Sequence, residues 1–271
     1  MERIAVISDI HGNLEALTTC LADIRRRGIT RIFCLGDIVG KGIHAKECVD
    51  LVLENCEVVV TGNLEVFVNE PTNPNDERQV FFTSQLDKER LDKLAALDFC
   101  YEMYISGSFV RMFHASPHGV RDRISEIGRQ GDMLRAFLPS DKTISRKNAD
   151  IAIYGDIHVQ LMRKFHNKTL INCGSVGCAT DVIRDENFDS DDMETTQVFY
   201  LIIEGAVGAT EYGAPLEFNF VRIPYDIDKE LEGLDRIIEP ESYYNELKKG
   251  QYRDAHRLKD GYNITDQNNP A

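Results

Sequence analysis

Five largely apolar runs in this 271-residue chain each break off into a cluster of polar residues. Residues 4–7 lead into Ser8-Asp9-Ile10-His11, and residues 32–35 into Gly36-Asp37. Residues 58–60 lead into Thr61-Gly62-Asn63, residues 109–113 into His114, and residues 151–154 into Gly155-Asp156-Ile157-His158. Short continuous apolar runs bounded by polar breaks read as buried strands. A carboxylate or imidazole placed directly after such a run needs a strong partner, because burying it alone is costly. In open α/β sheets ligands collect at the C-terminal ends of strands. The first and last clusters nearly repeat each other, Asp-Ile-His at 9–11 and at 156–158, and are expected to form two walls of one cleft.

The remaining elements follow from periodicity. Residues 3–8 predict a strand, and Asn13 caps a helix with Leu14, Leu17, Leu21 and Ile24 on one face, closing at Arg25-Arg26-Arg27-Gly28. Further strands are expected at 32–35 and 58–60, a helix at about 44–55, and an amphipathic helix at 84–97 whose acids face lysines at helical spacing. The texture then changes. Residues 100–114 alternate across a Ser-Gly-Ser turn as a β-hairpin, and strands follow at about 151–155, 161–166, 169–172, 197–203 and 217–223, with a tight turn at 165–168. Short helices are expected at 228–238 and 241–250, then a frayed polar tail. The fold class is α/β: two facing β-sheets flanked by helices, a four-layer α/β/β/α sandwich. Residues 1–225 form the main domain and 226–271 a helical extension of it.

Composition limits the function. Forty-five acidic against thirty-one basic residues give a net charge of −14, which argues against nonspecific nucleic-acid binding. No apolar run is long enough to span a bilayer, and residues 1–7 lack the features of a signal peptide. Seven cysteines, an odd number with no Cys-x-x-Cys pair, read as reduced core thiols. The expectation is a cytoplasmic protein, and if its ligand is a phosphate a local cation must overcome the repulsion.

Each polar cluster alone has an ordinary reading. Asn63 suits a turn, His114 a satisfied core histidine, and an aspartate at a strand end a helix cap. Five together point to divalent ions, because carboxylate, imidazole and amide donors suit Mn²⁺, Fe²⁺ or Zn²⁺. The ordered set Asp9-x-His11, Gly36-Asp37, Gly62-Asn63, His114 and Gly155-x-x-His158 resembles the calcineurin-like metallophosphoesterases, closest to their small bacterial and archaeal phosphodiesterase-type branch. SDIHGNLEAL, CLGDIVGKG, VTGNLE, FHASP and INCGSVG extend the resemblance along most of the chain. It implies a metal held by Asp9, His11, Asp37 and His158, and a second by a bridging Asp37 with Asn63, His114 and Asp156. It further implies two divalent ions, Mn²⁺ or Fe²⁺/Fe³⁺ before Zn²⁺ or Mg²⁺, and a metal-bridging hydroxide that hydrolyses phosphodiester or phosphoanhydride bonds, as in nucleoside triphosphates or dinucleoside polyphosphates. A binding scaffold of the same fold and a protein Ser/Thr phosphatase are the alternatives.

Two departures from that pattern matter. Leu64 stands where the family keeps a histidine that serves the leaving group, and a missing general acid costs on the order of 10²–10⁴-fold. Leaving groups that depart readily as anions are therefore expected, with His118 as a substitute acid. Asp156 stands where a histidine is usual; it can ligate directly, shifting preference toward Mn²⁺ or Fe²⁺, or orient a ligand. Catalytic roles fall to Asp37, Asn63 and His118, and substrate contacts to Asn13 and to Ser175 in the glycine-rich INCGSVG turn. Arg121, Arg123 and Arg184 suit phosphate but have no place at the cleft from sequence, and acidic residues 185–194 read as a solvated loop. GDIVGKG lacks the spacing and the Ser or Thr of a phosphate-binding loop.

Overall fold

A computed structural model describes residues 1–125, 128–180 and 197–249. Two five-stranded sheets form the interior. The first has the order β10-β9-β1-β2-β3, built from β1 (Glu2–Ile7), β2 (Arg31–Cys34), β3 (Val58–Val59), β9 (Gln197–Gly205) and β10 (Leu216–Pro224). The second has the order β4-β5-β6-β8-β7, from β4 (Cys100–Ile105), β5 (Ser108–Phe113), β6 (Ile151–Tyr154), β7 (Gln160–Phe165) and β8 (Lys168–Cys173). Strands β1 and β6, the two that run into Asp-Ile-His, are each the central strand of their sheet.

Alternation along those strands builds the layers, since successive side chains point to opposite faces. Ile4 and Val6 of β1 meet Ile151 and Ile153 of β6 in an apolar core between the sheets. Ala5 and Ile7 face the other way, into a core shared with α1 (Leu14–Arg26) and α2 (Ala45–Asn55). Ala152 and Tyr154 face outward against Met133 of α6 (Gln130–Leu134) and against Phe137. Helices thus cover both outer faces, the four-layer sandwich expected. All seven cysteines are free, six of them buried.

Local chemistry explains most boundaries. The Asn13 side chain accepts the Ala16 N–H at 3.0 Å and starts α1. The helix expected at 84–97 is shorter, α5 (Lys88–Ala95), because extended Asp87 caps it by accepting the Arg90 N–H. Its Lys88–Asp92 and Glu89–Lys93 pairs are those the spacing predicts. Three helices lie where none is expected, α3 (Asn63–Asn69), α4 (Glu77–Ser84) and α6. The acidic stretch 185–194, Arg184 and the tail beyond 249 lie outside the described residues.

After β10 the chain forms α7 (Ile227–Glu230), a 3₁₀ turn (Leu231–Arg236) and α8 (Pro240–Lys249). Ile237, Tyr243 and Leu247 pack on Cys178 and Ile43. Glu230 anchors this segment to the start of α1: its carboxylate accepts the Glu15 N–H at 3.3 Å and the Tyr243 hydroxyl at 3.0 Å. Burial outweighs those hydrogen bonds and raises Glu230 from the usual 4.5 to about 7. The folded state therefore holds this proton more tightly than the unfolded state, and stability is lost as pH climbs from about 4.5 to about 7. Glu230→Gln keeps an acceptor and removes the charge. Relative to the natural chain it should gain about 2–3 kcal/mol between pH 5 and 8, read by urea denaturation at each pH; a difference that stays constant with pH refutes the assignment.

Candidate metal centre

The candidate ligands sit on strained loops that the sheets over-determine. Asp9, His11, Asp37, Asp156 and His158 all have positive φ, between 51° and 67°, a region that costs side-chain-bearing residues roughly 1–3 kcal/mol each. Cross-strand hydrogen bonds hold them there. Asp9 N–H donates to the Gly36 carbonyl, while Ile10 N–H and His11 N–H both donate to that of Asp37. Gly177 N–H donates to the Asp9 carbonyl and Thr180 N–H to that of His158. Gly155 lets the two Asp-Ile-His turns meet, since a Cβ there would lie 2.6 Å from Asp9 Oδ2 and collide with Ser8.

Two overlapping donor clusters result. Asp9, His11 and His158 place one ligand atom each within 4.8 Å of one another, as do Asp9, Asp37 and His114, all buried. His11 Nε2 lies 3.0 Å from His158 Nε2, so the repeated turns face each other from opposite sheets. His158 Nδ1 is 2.8 Å from the Cys178 carbonyl, and His114 Nδ1 is 2.8 Å from the Leu35 carbonyl. A carbonyl only accepts, so both Nδ1 atoms carry hydrogen and neutral rings turn Nε2 lone pairs inward. His114 Nε2 then meets Asn63 Oδ1 at 3.0 Å and Asp37 Oδ1 at 3.5 Å. Asp9 Oδ1 is buried without a hydrogen-bond donor. Acceptors converging on acceptors require positive charge between them, and the residues fit divalent ions.

The titration of these groups shows the same demand. Burial lowers His114, but Asp37, Asp9 and Asp156 outweigh it and raise it to about 9. Burial, reinforced by Glu65 and Asp9, raises Asp37 to about 8 against the pull of His114. Burial alone would raise Asp9 too, yet His158, His114 and His11 hold it below the usual carboxylate range. Without metal, protons supply the positive charge these donors need.

The remaining expected residues fall elsewhere. Asn13 caps α1 and donates to the Gly177 carbonyl (2.9 Å) and the Tyr225 hydroxyl (3.1 Å). Ser175 donates to the Asp9 carbonyl and accepts the Cys178 N–H. Both are buried, and their side-chain hydrogen bonds brace the loops that carry the candidate ligands. His118 lies in the loop after β5, its N–H on Ser116 Oγ and its Nε2 buried with no hydrogen-bond partner; neither donor cluster includes it. Asp9 is the carboxylate common to both clusters, and Asp37, the expected bridge, belongs to one of them. Asp156 joins neither cluster: both its oxygens accept from Arg123, at 2.9 Å each, and Oδ1 is 4.0 Å from His114 Nε2. Arg121 pairs with Glu70. Leu64 packs beside Gly40 and Phe82 in the outer core.

One residue carries the site without an expected role. Glu65, buried at 1% exposure, accepts backbone N–H groups from Asp37 (2.7 Å), Ile38 (2.8 Å), Val39 (3.3 Å) and Gly62 (2.8 Å). Its position three residues after Gly62, at the start of a helix, is the signal that could have found it. Glu65→Ala leaves these donors buried and unmatched, and should cost about 3 kcal/mol or more in urea denaturation. It should also weaken Mn²⁺ binding measured by calorimetry, and unchanged stability would refute the bracing role.

Comparison with known proteins agrees with this geometry. Residues 2–186 match the calcineurin-like phosphoesterase superfamily domain. The chain is 31% identical over 253 residues to the uncharacterized protein MJ0912 of Methanocaldococcus jannaschii, covering 88% of this chain and 94% of that one. Its structure is similar to a metallophosphoesterase from Sphaerobacter thermophilus, with a TM-score of 0.69, 26% identity, and 92% and 100% of the two chains covered. The hypothetical protein PH1004 from Pyrococcus horikoshii OT3 shares the fold, with a TM-score of 0.67 at 15% identity over 93% and 100% of the chains. With the match covering well over half its length, this chain belongs to the calcineurin-like phosphoesterase superfamily.

Proposed function

We propose that the chain is a dinuclear metal-dependent hydrolase of phosphodiester or phosphoanhydride bonds, acting on nucleotides. The observation that carries the reading is the pair of donor clusters sharing Asp9, with the His114 and His158 rings turned inward by backbone carbonyls. One ion is held by Asp9, His11 and His158, the other by Asp9, Asp37, Asn63 and His114. Bound there, two divalent ions supply the local positive charge that draws a phosphate to a chain of net charge −14 and acidify water beside it. The donor set of carboxylates, imidazoles and one amide suits Mn²⁺ or Fe²⁺.

The chain's own residues decide which bonds break. Leu64 is committed to the outer core and has no proton to give a leaving group. His118 stands outside both donor clusters. Phosphoanhydrides and activated diesters release weakly basic anions and need no such proton, whereas an alkoxide does. Nucleoside triphosphates and dinucleoside polyphosphates fit that requirement.

The test is a metal-by-substrate screen on EDTA-stripped protein reloaded with Mn²⁺, Fe²⁺, Mg²⁺ or Zn²⁺. Substrates are bis-p-nitrophenyl phosphate, ATP, a dinucleoside tetraphosphate and glycerol phosphate. Mn²⁺ or Fe²⁺ should support turnover of the diester and the anhydrides, with glycerol phosphate roughly 100-fold slower or worse. No turnover with any pair sinks the enzyme reading, and rapid glycerol phosphate hydrolysis overturns the leaving-group argument. His114→Ala should lose one ion per chain by calorimetry together with activity.

A further inference from the structure

Helix α8, which follows the sandwich in sequence, reaches back to the loops that carry the candidate ligands. Glu246 of α8, with its side chain 5% exposed, pairs with Lys41 Nζ at 2.5 Å, and the Lys41 side chain is itself 14% exposed. Lys41 lies between β2 and α2, shortly after Asp37, in the left-handed conformation at φ 59°. Its neighbour Gly42 donates an N–H to the His11 carbonyl at 2.8 Å, and a Cβ on Gly42 would strike the Gly12 carbonyl. The pair with Glu246 therefore acts on a stretch of backbone that is pressed against the His11 turn.

The loop after β8 meets the same helix. Tyr243 and Leu247 of α8 pack on Cys178, with Ile43 alongside. Burial pushes the Cys178 thiol up, Lys41 opposes the rise and Glu246 adds to it, so the three groups form one cluster. The Cys178 carbonyl lies 2.8 Å from His158 Nδ1, and the N–H of adjacent Gly177 donates to the Asp9 carbonyl at 3.0 Å. One face of α8 thus backs two loops whose backbones hold Asp9, His11 and His158.

Stability alone does not account for the pair. Desolvating a carboxylate and an ammonium offsets most of their attraction, whereas removing one partner leaves a buried charge unmatched. What such a pair does supply is a fixed geometry. A left-handed residue with a side chain persists only where its surroundings over-determine it, and the docked helix is part of the surroundings of Lys41.

We propose that Glu246 is a positioning residue of the metal centre, and that docking of α8 and metal binding are thermodynamically coupled. The docked helix holds the loops after β2 and β8 at the spacing that brings His11 and His158 together, and filling the centre fastens the helix in return. The proposal rests on the metal centre of the reading above and is independent of the substrate. Coupling between two sites is reciprocal, the same factor acting in both directions.

The test begins with calorimetry of Mn²⁺ binding to the natural chain. No uptake overturns the metal reading and this proposal with it, before any variant is made. Glu246→Ala should bind Mn²⁺ about 5- to 150-fold more weakly, and Glu246→Gln, which keeps the shape of the side chain, should fall between it and the natural chain. Asp228→Asn is the control, since its 81%-exposed carboxylate joins α7 to α8 through Lys248; it should leave Mn²⁺ affinity unchanged. The reverse direction needs no variant: Mn²⁺ should slow hydrogen exchange of the α8 amides in the natural chain by a factor comparable to that lost in Glu246→Ala. Natural Mn²⁺ affinity in both Glu246 variants overturns the positioning role. An equal loss in Asp228→Asn overturns it too, reducing Glu246 to general packing of the extension. Exchange of the α8 amides unmoved by bound Mn²⁺ overturns the coupling.

Discussion

The Glu65 carboxylate accepts N–H groups from Asp37, Ile38, Val39 and Gly62, and the candidate centre depends on it more than on any ligand. Those four donors belong to the loops after β2 and β3, which carry Asp37 and Asn63. Neither loop closes its own backbone hydrogen bonds, and buried N–H groups left unmatched are costly. One side chain satisfies both and fixes their spacing. Asp37 in turn accepts the Leu64 N–H at 2.8 Å, so the two loops are tied twice. Gly62 is required at the crossing because a Cβ would strike Asp37 and Glu65.

The rest of the centre is held by the same economy of backbone contacts. Left-handed conformations at five candidate residues are individually unfavourable, and none is stabilised by its own local sequence. They persist because the central strands β1 and β6, with β2 beside β1, deliver them between two apolar cores. The sheets are therefore the source of rigidity and the loops the source of chemistry. Burial then turns convergent acceptors into a demand for positive charge, met by protons on His114 and Asp37 when nothing else supplies it. Metal binding and proton release are two sides of that demand.

Strands were legible in the sequence because alternation and apolar runs survive tertiary packing almost unchanged; residues 32–35 and 58–60 shift by no more than a residue as β2 and β3. Helix α3 was not. Its residues Leu64 through Val68 are rich in strand formers, and the helix starts where it does because Glu65 captures the Gly62 N–H and the loop after β2. That is a tertiary fact with a weak local trace. Asn13 was readable as a cap, but its bonds to Gly177 and Tyr225 span 164 and 212 positions and leave no local trace. The pairing of Arg123 with Asp156 is hidden for the same reason: nothing in Arg-Asp-Arg at 121–123 distinguishes the arginine that reaches the cleft from the one that meets Glu70.

The repeated Asp-Ile-His shows how far backbone likeness carries chemical likeness. In both turns the aspartate and histidine are left-handed, and both histidines arrive at one point, their Nε2 atoms 3.0 Å apart. The aspartates part company. Asp9 turns Oδ1 toward His158 and His11, 3.4 and 3.8 Å from their Nε2 atoms, while its Oδ2 receives the Asp156 N–H. Asp156, across the cleft, belongs to neither cluster: its Oδ1 lies 4.0 Å from His114 Nε2, and both its oxygens accept from a guanidinium. An aspartate in place of a histidine at this position therefore changes more than a donor atom. It places a buried negative charge beside the donor clusters, where it holds the half-exposed Arg123.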